Sequence, residues 1–459
     1  MEGERRPHAI AASLAVVFLL VGSRWGSHIG IGPIYVTDLL VALAFTHALL
    51  GRVAAPARVM APAPGAAAPT PEVSVRQPLL VFVLVYCFVR FAAGLHFDTV
   101  ALRDFAPYAY SVVGLLSGVS VARATAGDRS RTMRWMWIAL YAHAAWCAVV
   151  VLLPGVVAHM PSVGGLQVFS RRDDFDGAVL ALLAGLAFVR WAQGRGFGYL
   201  LVVAGAGFVT VSMTSRAGLL ALGAALVFST VSVWWGSVTR KSRWRLTLVP
   251  VAGVLVAVLL PTTFAGSRLV ATFGNTSAEQ RFTAEHSSAT GTTHAREQAW
   301  KQLESWIRED RHRTLVGVGF GPDFLAASGA NVQLLGQSVA QNDTVRSPHQ
   351  YFLGSWARLG LLGLVPLVAV CLVAVRRSCR FSHDRDELEV FASLVVVTFI
   401  LVASVGVLLE SPFGAVPFFW AVGVLAADQK RRRRDRSLAD ERRTAEDSEA
   451  PSAQPVTAR

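Results

Sequence analysis

Charge is scarce in this chain. Only 16% of its 459 residues are Asp, Glu, Lys or Arg, against 53% hydrophobic residues and a mean hydropathy of +0.47. That balance excludes an ordinary soluble domain, whose loops and solvated surface need far more polar groups. Polar and apolar residues do not alternate along the apolar runs, so a closed β-barrel gives way to helices as the structure that satisfies lipid-facing backbone. Cysteine is also rare. Cys87, Cys147 and Cys371 fall inside apolar runs and Cys379 falls on the side read below as cytoplasmic, so no outward pair is available for a disulfide. No internal repeat relates one half of the chain to the other.

The apolar runs themselves lie at 9–22, 34–50, 78–94, 105–122, 135–153, 177–190, 197–213, 217–236, 246–261, 350–375, 388–409 and 413–427. Each approaches the ~20 residues that a bilayer-crossing helix requires. They predict an all-α, polytopic membrane protein of about twelve transmembrane helices with one large extracytoplasmic loop containing short helices. The expected divisions are helices 1–9 over residues 1–261, the loop over 262–349, helices 10–12 over 350–427, and a basic, disordered cytoplasmic tail over 428–459. The first run follows a basic stub, Met1–His8, and ends at Val21-Gly22-Ser23, a tolerable cleavage site; an uncleaved helix is the favoured reading.

Positive charge sets the orientation. With both termini cytoplasmic, the inward segments hold most of the 43 Lys and Arg residues, including Arg123 to Arg134, Arg240 to Arg245, Arg376 to Arg385 and the tail from Lys430. The short outward loops hold only Arg24, Arg103, Arg171, Arg172 and Arg216. The formal net charge of +13 is thus a topology signal and no nucleic-acid footprint, and Arg431–Arg434 reads as an anchor against anionic headgroups. The Ala-Pro-rich stretch within 53–77 reads as a flexible cytoplasmic linker.

The outward loop is far longer than the ~15 residues beyond which a loop is usually functional or disordered. Within it, His294 to Asp310 places Trp300, Leu303 and Ile307 on one helical face and Arg296, Glu297 and Lys301 elsewhere, an amphipathic helix. A glycine-rich stretch, Gly317-Val318-Gly319-Phe320-Gly321, follows. It lacks the strand, helix and Lys context of a nucleotide site, so tight-turn packing is favoured over phosphate binding.

The string Ser347-Pro348-His349-Gln350-Tyr351-Phe352-Leu353, then Ala357-Arg358-Leu359-Gly360-Leu361-Leu362-Gly363, resembles the signature of the O-antigen ligase and O-antigen polymerase superfamily. The resemblance extends to Thr214-Ser215-Arg216-Ala217-Gly218, to Arg296 with Trp300, to the Gly317–Gly321 turn, to Ile34–Leu40 with Asp38, and to Leu102-Arg103-Asp104. Gln350 stands where the family usually has Asn. The resemblance implies a GT-C-like helical fold in the bacterial plasma (inner) membrane. It also implies a glycosyltransferase that moves a glycan from an undecaprenyl-diphosphate-linked donor to an acceptor hydroxyl on the outer side, as ligase or polymerase. The acceptor is a glycan, a lipid or a protein; membrane lipids surround the enzyme, and neither a metal nor another cofactor is expected.

Chemistry assigns roles to these residues. Breaking the bond between sugar C1 and diphosphate develops negative charge on the departing phosphate, so fixed cations aimed there lower the barrier. Arg216 and Arg296 are the candidates, because a guanidinium stays protonated and grips phosphate oxygens bidentately. His349 is the candidate to accept the proton of the acceptor hydroxyl. Arg103, Arg358, Gln350 and Trp300 are expected to bind substrate, and Arg358, set well inside the tenth span, needs a cavity or an ionic partner. A rival constellation is Asp173-Asp174-Phe175-Asp176, whose Asp-X-Asp spacing suits a divalent ion in a metal-dependent GT-C enzyme; local pairing with Arg171 and Arg172 is favoured. A twelve-helix secondary transporter is the alternative from another class, and an assembly component the third. A transporter predicts two similar halves, whereas the long loop here falls between spans nine and ten.

Overall fold

A helix forms at every expected span that lies among the described residues, because continuous apolar runs bounded by polar or breaking residues can close their backbone hydrogen bonds only locally. The computed structural model describes residues 5–22, 29–31, 34–53, 76–94, 98–163, 166–167, 169, 172–213, 215–236, 292–335, 346–381 and 385–427. The expected span 246–261, the linker and the C-terminal tail lie outside these residues.

The helices are α1 (Arg5–Val21), α2 (Val36–Val53), α3 (Arg76–Ala93), α4 (Thr99–Ala122), α5 (Ala126–Leu152), α6 (Pro154–Ala158), α7 (Asp173–Ala192), α8 (Gly198–Ser212) and α9 (Arg216–Gly236). The loop helices follow as α10 (Thr292–Arg308), α11 (Arg311–Val316), α12 (Phe324–Ser328) and α13 (Ala330–Leu335). Then come α14 (Tyr351–Ser378), α15 (Glu387–Ala403) and α16 (Pro412–Ala427). Two antiparallel ladders, Gly30–Ile31 with Ile34–Tyr35 and Ser162–Val163 with Leu166–Gln167, are small exceptions in loops. Among the described residues five helices, α4, α5, α7, α9 and α14, are long and apolar enough to cross a membrane, and α2, α3, α8 and α16 contain shorter apolar segments. The chain is a membrane protein. Large apolar side chains such as Leu39, Phe88, Val227 and Leu372 remain exposed on the outer faces of α2, α3, α9 and α14, as lipid contact requires.

Helix α7 is apolar all round and almost wholly enclosed, wedged among α5, α8, α9 and α15. Its contact with α9 is close: a methyl at Gly177 would lie 2.6 Å from Gly218 Cα, so backbone meets backbone there. Since α7 begins at Asp173 and α9 at Arg216, this crossing sets two helix N-termini side by side at one end.

Helix α14 departs from the uninterrupted run expected at 350–375. It breaks at Gly360, which has φ 63° and ψ −172°. The long loop after α9 fills the break. Val318 N–H donates to Ala357 O at 2.9 Å, Gly319 N–H donates to Arg358 O at 3.0 Å, and the Tyr86 hydroxyl donates to Leu359 O at 3.0 Å. Arg90 in turn donates to Gly317 O at 2.9 Å. The amides of the glycine-rich stretch thus serve a broken helix. The span expected at 388–409 is also corrected: α15 stops at Ala403, and a 3-10 turn over Leu408–Glu410 carries Glu410 inward before α16.

A side chain at Gly360 would collide with the Leu315 carbonyl at a backbone angle that only glycine adopts easily. Gly360→Ala is expected to cost on the order of 2 to 4 kcal/mol through strain and overpacking. Gly223→Ala, where nothing lies within 4 Å, should leave stability unchanged or slightly raised. Thermal unfolding of both variants in detergent compares them, and equal midpoints would contradict the docked break.

Candidate functional site

The loop helix α10 is amphipathic, as its spacing predicts, and its apolar face finds protein. Ala299, Leu303 and Ile307 have no exposed surface and pack with Phe324, Leu325 and Ala330 of the loop and with Leu353 and Ala357 of α14. Trp300 reaches across this seam, its indole N–H donating to Pro348 O at 2.6 Å. That bond pins the segment Ser347-Pro348-His349 at the mouth of α14. His349 takes φ 54°, alone among the described non-glycine residues in the left-handed region, and its N–H donates to Ser347 Oγ at 3.3 Å. Gln350 caps α14 through its backbone only; Gly354 N–H donates to its carbonyl at 3.0 Å, and its carboxamide makes no capping bond.

Around His349 the electrostatics are those of a cationic pocket. Burial pushes its imidazole down to about 4, and Arg296 and Arg172 push the same way while Asp174 opposes them. Arg296 is likewise held below the ordinary guanidinium value, first by burial, with Arg216 adding to the effect and Asp174 resisting it. Arg172 pairs with Asp174 at 3.3 Å and lies 3.9 Å from the centre of the Phe175 ring. Arg296, Arg172 and Asp174 therefore share the field around a neutral imidazole, and Arg216 reaches Arg296, a net positive setting that favours an anion.

Beneath this cluster lies a buried ionic network. Arg346 donates to Asp104 at 2.7 Å and to Gly321 O at 2.6 Å, and Gly321 N–H donates to Asp104 at 3.3 Å. Arg358 donates to Arg346 O at 3.0 Å and stands 3.7 Å from Asp104, 4.0 Å from Glu410 and 5.0 Å from the centre of the Phe324 ring. Burial raises the Glu410 carboxyl, while Arg358 and the Ser347 hydroxyl draw it back. Alongside, Tyr108 and Ser355 share a hydrogen bond of 3.1 Å. Two arginines and two acids thus clamp the chain just before His349 onto α4, α14 and the 3-10 turn.

Residues 200–368 match the family model described as O-antigen ligase. Over that stretch the chain is similar to the O-antigen ligase domain, a finding that supports the O-antigen ligase and polymerase superfamily. No curated protein matches the chain. The match supports an O-antigen ligase- or polymerase-like membrane enzyme, and the matched stretch includes Arg216, Arg296, Trp300, His349, Gln350 and Arg358.

Of the residues expected in the site, Arg216, Arg296 and His349 fall in one electrostatic cluster, with Trp300 and Gln350 on either side of His349's backbone. Arg358 is buried below them and faces Asp104, Glu410 and a carbonyl. Arg103 is exposed on α4, whereas its neighbour Asp104 turns into the network. The Asp-X-Asp pair diverges: Asp174 takes Arg172, while Asp176 accepts the Arg172 N–H at 2.9 Å and faces His143 at 3.5 Å. Sequence reasoning gave Asp104 no role beyond its place in the Leu102-Arg103-Asp104 motif, did not single out Arg346 or Glu410, and read Arg172 as a local partner of the aspartates. The signal that bears on the first three is the need of Arg358, a cation inside a span, for acids.

Removing one member of a buried ionic set leaves its partners uncompensated. Asp104→Asn is expected to destabilise the protein by about 3 kcal/mol or more, with Arg103→Ala near neutral. The midpoint of thermal unfolding reads both, and a tolerant Asp104→Asn would show the network to be dispensable.

Proposed function

We propose that the protein transfers a glycan from an undecaprenyl-diphosphate-linked donor to a hydroxyl of a glycan, lipid or protein acceptor on the outer side of the bacterial inner membrane. The observation that carries this reading is the gathering of Arg172 and Arg296 about a neutral His349, with Arg216 beside Arg296, at the junction of the long loop and the bundle. In the same reading both termini are cytoplasmic and the chain crosses about twelve times, with helices 1–9, the loop, helices 10–12 and the tail divided at 261, 349 and 427.

The donor's diphosphate is dianionic and sits at headgroup depth, where a cationic pocket at the rim meets it. Arg296 and Arg216 hold its oxygens and stabilise the charge that grows as the C1–O bond breaks; Arg172, released from Asp174, is placed to join them. His349 accepts the proton of the acceptor hydroxyl as that oxygen attacks C1. The free pocket suppresses its basicity through burial and Arg296. A bound diphosphate offsets the arginine charge and returns the imidazole toward its ordinary 6.5, so the base becomes competent when the donor is in place. Trp300 holds the backbone that presents His349, Gln350 offers its carboxamide at the same lip, and Arg358 positions this segment from below.

Individual Arg216→Ala, Arg296→Ala and His349→Ala variants should each lower transfer from a purified lipid-linked donor by about 10²-fold or more while retaining detergent-extracted fold. Three active variants would sink the assignment. Because the imidazole must be neutral to accept a proton, activity falls as pH drops through its pKa. The acid limb of kcat/KM should lie near 4, and that of kcat should lie higher, toward 6.5, because the donor is bound. Arg296→Gln should raise the kcat/KM limb, whereas limbs that coincide and ignore Arg296 would rule out the coupled base.

A further inference from the structure

Below the rim, α5 and α7 bring together a set of side chains that glycan transfer does not use. His143 and Cys147 are one helical turn apart on the same face of α5, and both are buried. Asp176, in the first turn of α7, meets them from across the seam. His143 Nε2 lies 3.5 Å from Asp176 Oδ1 and 3.5 Å from Cys147 Sγ, and one ligand atom from each of the three lies within 4.8 Å of the others. The far ring nitrogen, Nδ1, lies 2.9 Å from Val21 O, the carbonyl at the end of α1. With Nδ1 donating its proton to that carbonyl, Nε2 carries the lone pair and points at a carboxylate and a thiol.

We propose that His143, Cys147 and Asp176 form a structural site for a divalent transition metal, zinc in the first instance. A tetrahedral ion with bonds of about 2.0 Å to nitrogen or oxygen and about 2.3 Å to sulfur separates its ligand atoms by roughly 3.3 to 3.6 Å, which the two separations of 3.5 Å match. The Nδ1–H to carbonyl bond is the outer contact that orients a ligating imidazole. Charge closes as well. Cys147 releases its thiol proton to solvent on binding, and a divalent cation with one thiolate, one carboxylate and a neutral imidazole is uncharged, which a low-dielectric interior tolerates. The mixed nitrogen, sulfur and oxygen donors suit zinc and exclude hard ions such as magnesium, which demand oxygen. This is a different use of Asp176 from an Asp-X-Asp diphosphate site, since the carboxylate points inward and away from Asp174.

The site ties the ends of α1 and α5 to the start of α7. Cys147 lies five residues before the end of α5, about 8 Å along the helix, so the ion would sit directly beneath Arg172 and Asp174 and hold the turn that carries them. The inference stands whether or not the enzyme transfers glycans, because its readout is the metal.

Full-length protein without a polyhistidine tag, purified in detergent, should contain near-stoichiometric zinc by mass spectrometry. Protein made with cobalt should show a thiolate-to-cobalt charge-transfer band. Cys147→Ser should abolish that band and most of the bound metal, while Cys379→Ser, at the exposed cysteine, should change neither. Wild-type protein that lacks metal after purification and fails to take up zinc or cobalt overturns the proposal, as does a folded Cys147→Ser variant with undiminished metal. Should Cys147→Ser not fold, the wild-type cobalt spectrum still decides: a band demands a thiolate ligand, and its absence removes Cys147 from the site.

Discussion

A carbonyl buried at membrane depth must find a donor, and α14 stops supplying its own at Gly360. The three carbonyls before the break, at Ala357, Arg358 and Leu359, are served in turn by Val318 N–H, Gly319 N–H and the Tyr86 hydroxyl. The long loop is consequently a structural part of the helix bundle. A stretch of extended backbone penetrates the bundle only because it is buried in protein, and its glycines let it come close: a methyl at Gly317 would lie 2.5 Å from the Arg358 carbonyl carbon.

That anchorage determines where the chemistry sits. Once residues 317–319 are fixed on α14, Phe320 drops among Phe91, Phe105 and Tyr108, and Gly321 presents its carbonyl and amide to Arg346 and Asp104. Arg346 then orders the chain leading to Ser347-Pro348-His349. From the other side, α10 holds Pro348 through Trp300. His349 can be kept in a left-handed conformation because both flanks are restrained, and such strain of about 1–3 kcal/mol persists only where the surroundings over-determine it.

Local features of this arrangement are legible in the sequence. Trp300, Leu303 and Ile307 announce the buried face of α10 by their spacing, and the helices follow from apolar run length. Arg216, Arg296 and His349 could be grouped because their order resembles a family pattern, although they are distant along the chain. The break at Gly360 was not legible, since one glycine among Leu359, Leu361 and Leu362 is equally compatible with a continuous helix. The parts played by Asp104, Arg346 and Glu410 were not legible either. Their roles arise from pairings across more than two hundred residues, such as Arg346 with Asp104, and no local periodicity encodes those. Arg172 gains its wider role from the crossing of α7 over α9 at Gly177 and Gly218, a contact visible only once both helices are placed.

The two helix starts at that crossing explain why the resting pocket is poised for an anion. Three aspartates occupy the first turn of α7, where they complement the positive end of the helix dipole. Helix α9 has no acid in its first turn and begins with Arg216, a cation at the end that repels cations, at a cost of roughly 0.3–1 kcal/mol. Arg296, close enough to feel Arg216, adds like-charge repulsion in a partly buried setting. Asp174 relieves part of this in the free enzyme. In the proposed reaction a diphosphate donor relieves more of it, and the departing diphosphate, with its greater charge on the leaving oxygen, the most. On that proposal, repulsion built into the pocket becomes attraction that grows along the reaction, the condition for the arginines to accelerate transfer as well as to bind the donor.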